Sequence, residues 1–293
     1  MKKLKIAALS VLFLSIILNC SSSCTRKTEL CKTKYPVLLV HGIAFRDKTV
    51  LIKYWGSIPK KLKQNGAKIY LGGQEAYGTC RENAKILKKN VQNILKETGV
   101  EKVNIIAHSK GGIESRYLIS KLGISDKIAS LTTIATPHRG SKMADIILKG
   151  LPGKKIIGKL IDLYAKLIGD DNPMSVKAGK ELTIAAMKKF NRDVPDIKSV
   201  YYQSYSAQID ASYINPLWNK MQKTMSKYEG DNDGLVSVKS SKWGNYRGVV
   251  TCKGKFHVSH ADIVGLQFLS GEFCFDADEF FINILKDLKK RGY

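Results

Sequence analysis

The chain has 293 residues, 44% of them hydrophobic and 25% charged, with six Cys and seven Pro. That is too apolar for disorder, too poor in Cys for a disulfide scaffold, and long enough for one large α/β domain or two small ones. The formal charge of +24 comes from 49 Lys and Arg against 25 Asp and Glu, yet only eight of the basic residues are Arg. They are scattered, with no Arg-rich arm and no aromatic-interleaved basic run. This favours a Lys-rich solvated surface, or attraction to an anionic one, over nucleic-acid binding.

The N-terminus reads as an export signal. Lys2, Lys3 and Lys5 precede an apolar-plus-Ser stretch of 13 residues, Ile6 to Leu18, which is short for a transmembrane helix. The stretch ends Ile17-Leu18-Asn19-Cys20 and is followed by three Ser. It resembles a permissive lipoprotein signal, in which Cys20 becomes the lipidated first residue; Asn19, before the Cys, departs from the usual small residue. The expectation is a signal peptide over 1–19, a polar tether over 20–34, and an exported protein, anchored through lipid or released. Without Cys20 five Cys remain, an odd number with no CxxC, and their pairing is not readable from sequence.

From Tyr35 strand and helix signals alternate. Pro36–Val40 is a short buried-strand run ending at His41-Gly42, and Ala67–Leu71 is another, closed by Gly72-Gly73. Arg81–Lys96 carries Ala84, Leu87, Val91 and Leu95 near helical spacing. Val103–Ala107 predicts a strand, Gly111–Leu122 a helix, and Ile128–Ile134 a further strand. The alternation argues for one domain with a mainly parallel central sheet and helices on both faces. Residues 141–186 break the rhythm. Their many Ile and Leu among Lys suit one or two amphipathic helices, interrupted at Gly150, Pro152-Gly153 and the 169–173 turn. Ordinary packing helices and a mobile cap over a site are both consistent with that pattern.

The chemistry centres on Ala107-His108-Ser109-Lys110-Gly111-Gly112, between a predicted strand and a predicted helix. A turn this tight needs small neighbours around a strained nucleophile, and it lifts the Ser109 oxygen above the sheet edge at a helix N-terminus. The motif is weak alone, and its strand–turn–helix setting strengthens it. Of the five His, His41 ends the first strand, His108 adjoins the nucleophile and is expected to point elsewhere, and His138 suits a loop role. His260, in Val258-Ser259-His260-Ala261-Asp262 before a helical run over 263–269, is the chosen base, with His257 as runner-up. The order nucleophile, acid, base then places the acid in Asp231-Asn232-Asp233-Gly234-Leu235-Val236, a turn of the kind expected after a strand. Asp233 is chosen over Asp231, to hold the imidazole tautomer. The oxyanion hole would use the N–H groups of Lys110 and Ile43.

Tyr35–Gly42, Asn104–Gly112, Ala135–Ser141 and Asp231–Val236 together resemble the bacterial triacylglycerol lipases of the α/β-hydrolase superfamily, in that family's order. The resemblance runs from about Tyr35 to about Leu269. It implies an α/β-hydrolase fold over 35–293, a lid at about 141–186, and Ser109, Asp233 and His260 as triad, with Ile43 and Lys110 as oxyanion donors. It also implies hydrolysis of carboxylic esters of glycerol through an acyl-enzyme; the expected partners are an ester lipid substrate and a lipid or membrane surface, and the Lys-rich, exported chain argues against nucleic acid. No cofactor is required. Many relatives carry a structural calcium near the catalytic His, held by an Asp two residues after it, here Asp262; the second carboxylate does not align, Asp210 being differently spaced. A short-chain esterase, phospholipase or acyltransferase would use the same constellation, and a surface lipoprotein that binds without turnover is the reading from another class. Ala107 replaces the first Gly of the elbow, and Lys110 the commoner Met, Gln, Leu or His.

Overall fold

The structure, a computed structural model, describes residues 28–47, 53–150, 159, 161–163, 165–166, 170, 173–267 and 273–293. The expected signal peptide, Cys20 and the start of the tether lie outside these residues. From Thr28 the expected tether is fastened to the body. Cys31 is fully buried and its N–H donates to Asn65 O, while the Lys34 N–H donates to Tyr293 O.

Six strands form a parallel sheet in the order β2-β1-β3-β4-β5-β6. They are β1 (Val37–Val40), β2 (Ile69–Leu71), β3 (Val103–His108), β4 (Ile128–Ile134), β5 (Tyr201–Ile209) and β6 (Asn245–Val250). A short β7 (His257–Val258) pairs antiparallel with the end of β5. Because strand side chains alternate between faces, the apolar run Val37–Val40 feeds two cores. Val37 and Leu39 join Ile106, Ile134 and Phe281 on one side; Leu38 and Val40 join Ile105, Ala107 and Leu131 on the other.

Helices cover both faces. On one side lie α1 (Ile58–Gln64) and, after the elements that follow, the C-terminal α9 (Ala277–Lys290), whose Phe281, Ile284, Leu285 and Leu288 are buried at helical spacing. On the other lie α2 (Cys80–Thr98) and α3 (Lys110–Lys121). The Thr79 side chain accepts from the Glu82 N–H, and Gly99 ends α2 in the left-handed region, so the helix runs slightly longer than its apolar spacing indicates. Then come α4 (Lys142–Gly150), α5 (Ser175–Glu181), α6 (Ile184–Asp193), α7 (Pro216–Glu229) and the single turn α8 (Val238–Ser241). The helical reading of 141–186 is met by α4, α5 and helical residues within 159–166; the punctuation at 151–158 lies outside the described residues.

Two local expectations are corrected. The run 263–269 is not a helix over its described part: a 3₁₀ turn spans Asp262–Val264 and stops at Gly265, whose φ of 80° leaves the right-handed region. The Asp231–Val236 turn follows a helix, α7, rather than a strand. It still reaches the sheet, because Asn232 bridges to Ile209 at the end of β5. The open cysteine question also resolves for the described chain. Cys252 and Cys274 form a disulfide, and Cys31 and Cys80 are free and buried.

Candidate active site

The sheet's carboxyl edge presents a sharp elbow. β3 ends at His108, Ser109 takes φ 53° and ψ −129°, and α3 starts at Lys110. A non-glycine residue at such a φ is strained and persists only where its surroundings hold it. Here the Ser109 N–H donates to Ile134 O at 2.9 Å. Gly111 lets β1 pass, since a Cβ there would stand 2.4 Å from His41 O and 2.7 Å from Val40 O. As the first residue of α3, Lys110 offers an N–H with no intrahelical partner.

The Asp233 turn and the loop after β7 meet beside this elbow. A carboxylate only accepts, so the 2.7 Å contact between His260 Nδ1 and Asp233 Oδ2 places a proton on Nδ1, which in the neutral imidazole leaves Nε2 as the acceptor. The other carboxylate oxygen accepts from the N–H groups of Leu235 (2.9 Å) and Val236 (2.7 Å). The His260 N–H also donates to Asp233 O, at 3.0 Å. Asp233 is buried, whereas Asp231 is exposed and receives the Val238 N–H on its carbonyl. His257, the runner-up base, sits instead beside Asp210 and Ser212, away from Asp233.

Ser109 and His260 share one cavity of about 610 Å³ with Ile43, within the ordinary size of a ligand pocket. Its walls are largely apolar: Phe45, Met143, Ile147, Leu148, Ile161, Val176, Leu182, Leu217, Trp218, Met221, Leu235 and Leu266 contribute. Many of these come from α4, α5 and α7, so the amphipathic segment turns an apolar face to the cavity.

The Lys110 side chain leaves that cavity. Its Nζ pairs with Glu114 one turn along α3 and donates to Gly78 O at 2.8 Å, all buried. Glu114 also accepts from Asn83 Nδ2 at 2.7 Å, tying α3 to α2. Removing one member strands a buried charge. Glu114→Ala is expected to destabilise the fold by about 3–5 kcal/mol in urea unfolding, whereas Lys110→Met with Glu114→Leu together should stay far closer to the parent. Equal losses in the two variants would show that the pair is not the source.

Two histidines are structural and buried. His138 contacts Thr133 Oγ1 and Arg116 and stacks on Trp243. Burial, then the Arg116 and Arg139 charges, pushes its pKa well below the ordinary value. His108 faces the cavity after all: its ring centroid lies 4.5 Å from that of His260, and burial likewise depresses its pKa. Both stay neutral in the folded state while the unfolded chain protonates near pH 6.5, so the stability linked to them is full above that pH and is lost as pH falls. Together they give a limiting slope of about 2.7 kcal/mol per pH unit. Urea titrations from pH 7 to 5 should therefore show falling stability, with a slope about half as steep from these two sites in His138→Gln. An unchanged slope in that variant would contradict the assignment for His138.

A family model described as the alpha/beta hydrolase fold matches residues 35–155. The chain is 30% identical over 263 residues to triacylglycerol lipase 2 of Saccharomyces cerevisiae, covering 83% of this chain and 75% of that one. The chain belongs to the lipases of the α/β-hydrolase superfamily. A triacylglycerol lipase of Vibrio cholerae is 28% identical to this lipase over 281 residues, 87% of either chain. The mature form of Bacillus licheniformis lipase BlEst2 shares the fold, with a TM-score of 0.63 at 20% identity over 86% of this chain and 92% of that one.

Asp262 is tied into its own loop: its Oδ2 accepts from Tyr213 Oη at 2.5 Å and from the Ser259 N–H at 2.8 Å. Asp210 accepts from Ser212 N and Oγ. Among the described residues no three His, Cys, Asp or Glu group as a metal set. Asp262 in this lipase braces the loop that carries His260. Sequence reasoning missed Tyr54 altogether, a buried ring lining the cavity, because beside Trp55 and after Val50-Leu51-Ile52 it reads as ordinary core and nothing local announces where its phenol oxygen goes.

Proposed function

We propose that this lipase hydrolyses acylglycerol esters through an acyl-enzyme on Ser109. The observation that carries the reading is the Asp233–His260 hydrogen bond, with His260 and Ser109 opening together onto one apolar cavity. Bare Nε2 of His260 accepts the Ser109 proton as Oγ attacks the ester carbonyl. Asp233 stabilises the imidazolium, and the N–H groups of Ile43 and Lys110 hold the oxyanion. The imidazolium then protonates the leaving glycerol oxygen. Water, deprotonated by the same nitrogen, attacks the acyl carbon and releases the fatty acid and Ser109.

The apolar walls favour long acyl chains over acetate. We place the lid in residues 141–186, where α4 and α5 line the cavity. Ile147 on α4 and Leu217 on α7 line it and are also exposed. With Lys149, Lys220 and Lys223 exposed on the same helices, this face suits a lipid surface. Export, with Cys20 as lipid anchor, completes the proposal; the intact mass of membrane-extracted protein reads the anchor.

The test is the purified protein on nitrophenyl esters from acetate to palmitate. Rates relative to acetate are expected to rise with chain length. Turnover confined to acetate would make it a short-chain esterase, and no turnover by folded protein would favour acyl transfer or binding alone.

A further inference from the structure

One buried contact chain joins the two halves of the site. Gly42, just before Ile43, donates its N–H to Tyr54 Oη at 2.9 Å, and Tyr54 Oη lies 2.5 Å from His108 Nδ1, just before Ser109. All three residues are buried. We propose that Tyr54 and His108 form a strut that sets the oxyanion loop against the nucleophile turn, and does so by holding His108 as its Nε2–H tautomer. This rests on the reading of Ser109 as nucleophile and Ile43 as oxyanion donor.

The proton arithmetic is simple. Tyr54 Oη accepts from Gly42, so its single proton is free to go to His108. Burial disfavours the phenolate, and the same burial keeps His108 neutral with one bare nitrogen. The alternative, Nδ1–H donating to Tyr54 Oη, would leave the Tyr54 proton with no acceptor, so Nδ1 is taken as the acceptor and the ring proton as carried on Nε2, a buried atom with no hydrogen-bond partner among the described residues. The two loops also touch at this point: a Cβ on Gly42 would stand 2.8 Å from Tyr54 Oη and 2.9 Å from Ser109 Cβ. One phenol oxygen thus spans the single-residue neighbours of the attacking oxygen and of an oxyanion donor. Their separation decides how well the tetrahedral oxyanion is met, and a displacement near 1 Å is enough for about a hundredfold loss. Tyr54 and His108 are positioning residues. They act through Gly42 and Ser109.

Tyr54→Phe removes both bonds with one atom. With nitrophenyl butyrate, kcat is expected to fall about 10- to 100-fold with KM within about threefold, in protein whose circular dichroism matches the parent. His108→Leu should fall similarly, while His108→Asn, which keeps an acceptor near the Nδ1 position, should retain kcat within about threefold. The double variant Tyr54→Phe/His108→Leu should be no worse than the poorer single variant, because both break one strut. In ¹⁵N-histidine-labelled wild-type protein the His108 ring should read as the Nε2–H tautomer, and in Tyr54→Phe as a mixture. Unchanged kcat in folded Tyr54→Phe, losses that multiply in the double variant, or an Nδ1–H signal in the wild type would each overturn the strut. Should Tyr54→Phe fail to fold, the His108→Asn and His108→Leu pair and the wild-type ring spectrum still decide it. If the wild-type protein cleaves no ester, the proposed function fails while the tautomer measurement continues to test the contact chain.

Discussion

Ser109→Ala is expected to lower kcat on any ester that the protein cleaves by about 10⁴- to 10⁶-fold, with little change in fold or in substrate affinity. The size follows from what the oxygen does. Without it no acyl-enzyme forms, and only the oxyanion donors and the binding cavity remain to assist water. The absence of a structural penalty follows from the elbow. Ser109 is held by its own N–H on Ile134 O, by its position between β3 and α3, and by Gly111 against β1, none of which uses the side chain. Ala at φ 53° carries the same backbone strain as Ser and gains no relief. Stopped-assay rates on nitrophenyl butyrate, together with loss of labelling by a fluorophosphonate, check the prediction. Residual activity within tenfold of the parent, or labelling that persists at another residue, would move the nucleophile elsewhere.

The parts of the fold visible in the sequence are those with apolar residues close together at their core. β1 is Val-Leu-Leu-Val, and β3 and β4, buried at every position, keep Val103, Ile105 and Ile106, and Ile128, Leu131 and Ile134, among their buried polar side chains. β5 is harder to see because four of its six buried residues are polar. Gln203 donates to Thr132 Oγ1, Ser204 to Trp243 O, and Ser206 bonds Ser241, so burial there is satisfied by hydrogen bonds rather than signalled by hydrophobicity. β6, Asn245–Val250, is an edge strand with partly exposed residues throughout, and its pattern resembles a loop.

The same division runs through the site. That Asp233 meets His260, and that His260 and Ser109 open onto one cavity, was foreshadowed because each sits in a short motif with its own turn chemistry, and motif order suggested their relation. His108 was misplaced because adjacency in sequence was taken to mean divergence in space. At the elbow the chain reverses so sharply that residue 108 faces the same cavity as residue 109. The role of the Lys110 side chain was equally hidden: its partner Glu114 is visible at helical spacing, but Gly78 O and Asn83 arrive from another element. Asp262 had the right position for a family metal ligand. Its contact with Tyr213, a residue 49 positions away, is one that no local motif announces.

Asp233→Asn is the second large loss, about 10⁴-fold in kcat with KM within a few-fold. The geometry dictates how it arises. In the parent, Asp233 Oδ1 accepts two backbone N–H groups, from Leu235 and Val236, and Oδ2 accepts His260 Nδ1–H. An Asn at this position has one oxygen and one NH₂. The two backbone donors hold the oxygen in the Oδ1 place, so the NH₂ is turned toward His260. The imidazole must then accept on Nδ1 and carry its proton on Nε2, the nitrogen proposed to take the Ser109 proton. A base already holding a proton cannot take the one from Ser109, and the nucleophile stays a hydroxyl. Nothing in this switch empties a cavity or exposes a charge, so the urea midpoint should move little while turnover collapses. Asp231→Asn is the matched control: its side chain is exposed, it does not hold His260, and its rate should stay within about twofold of the parent. A greater loss in Asp231→Asn than in Asp233→Asn would mean that the acid has been misassigned. Loss of stability in step with activity for Asp233→Asn would mean that the turn, rather than the tautomer, carries the effect.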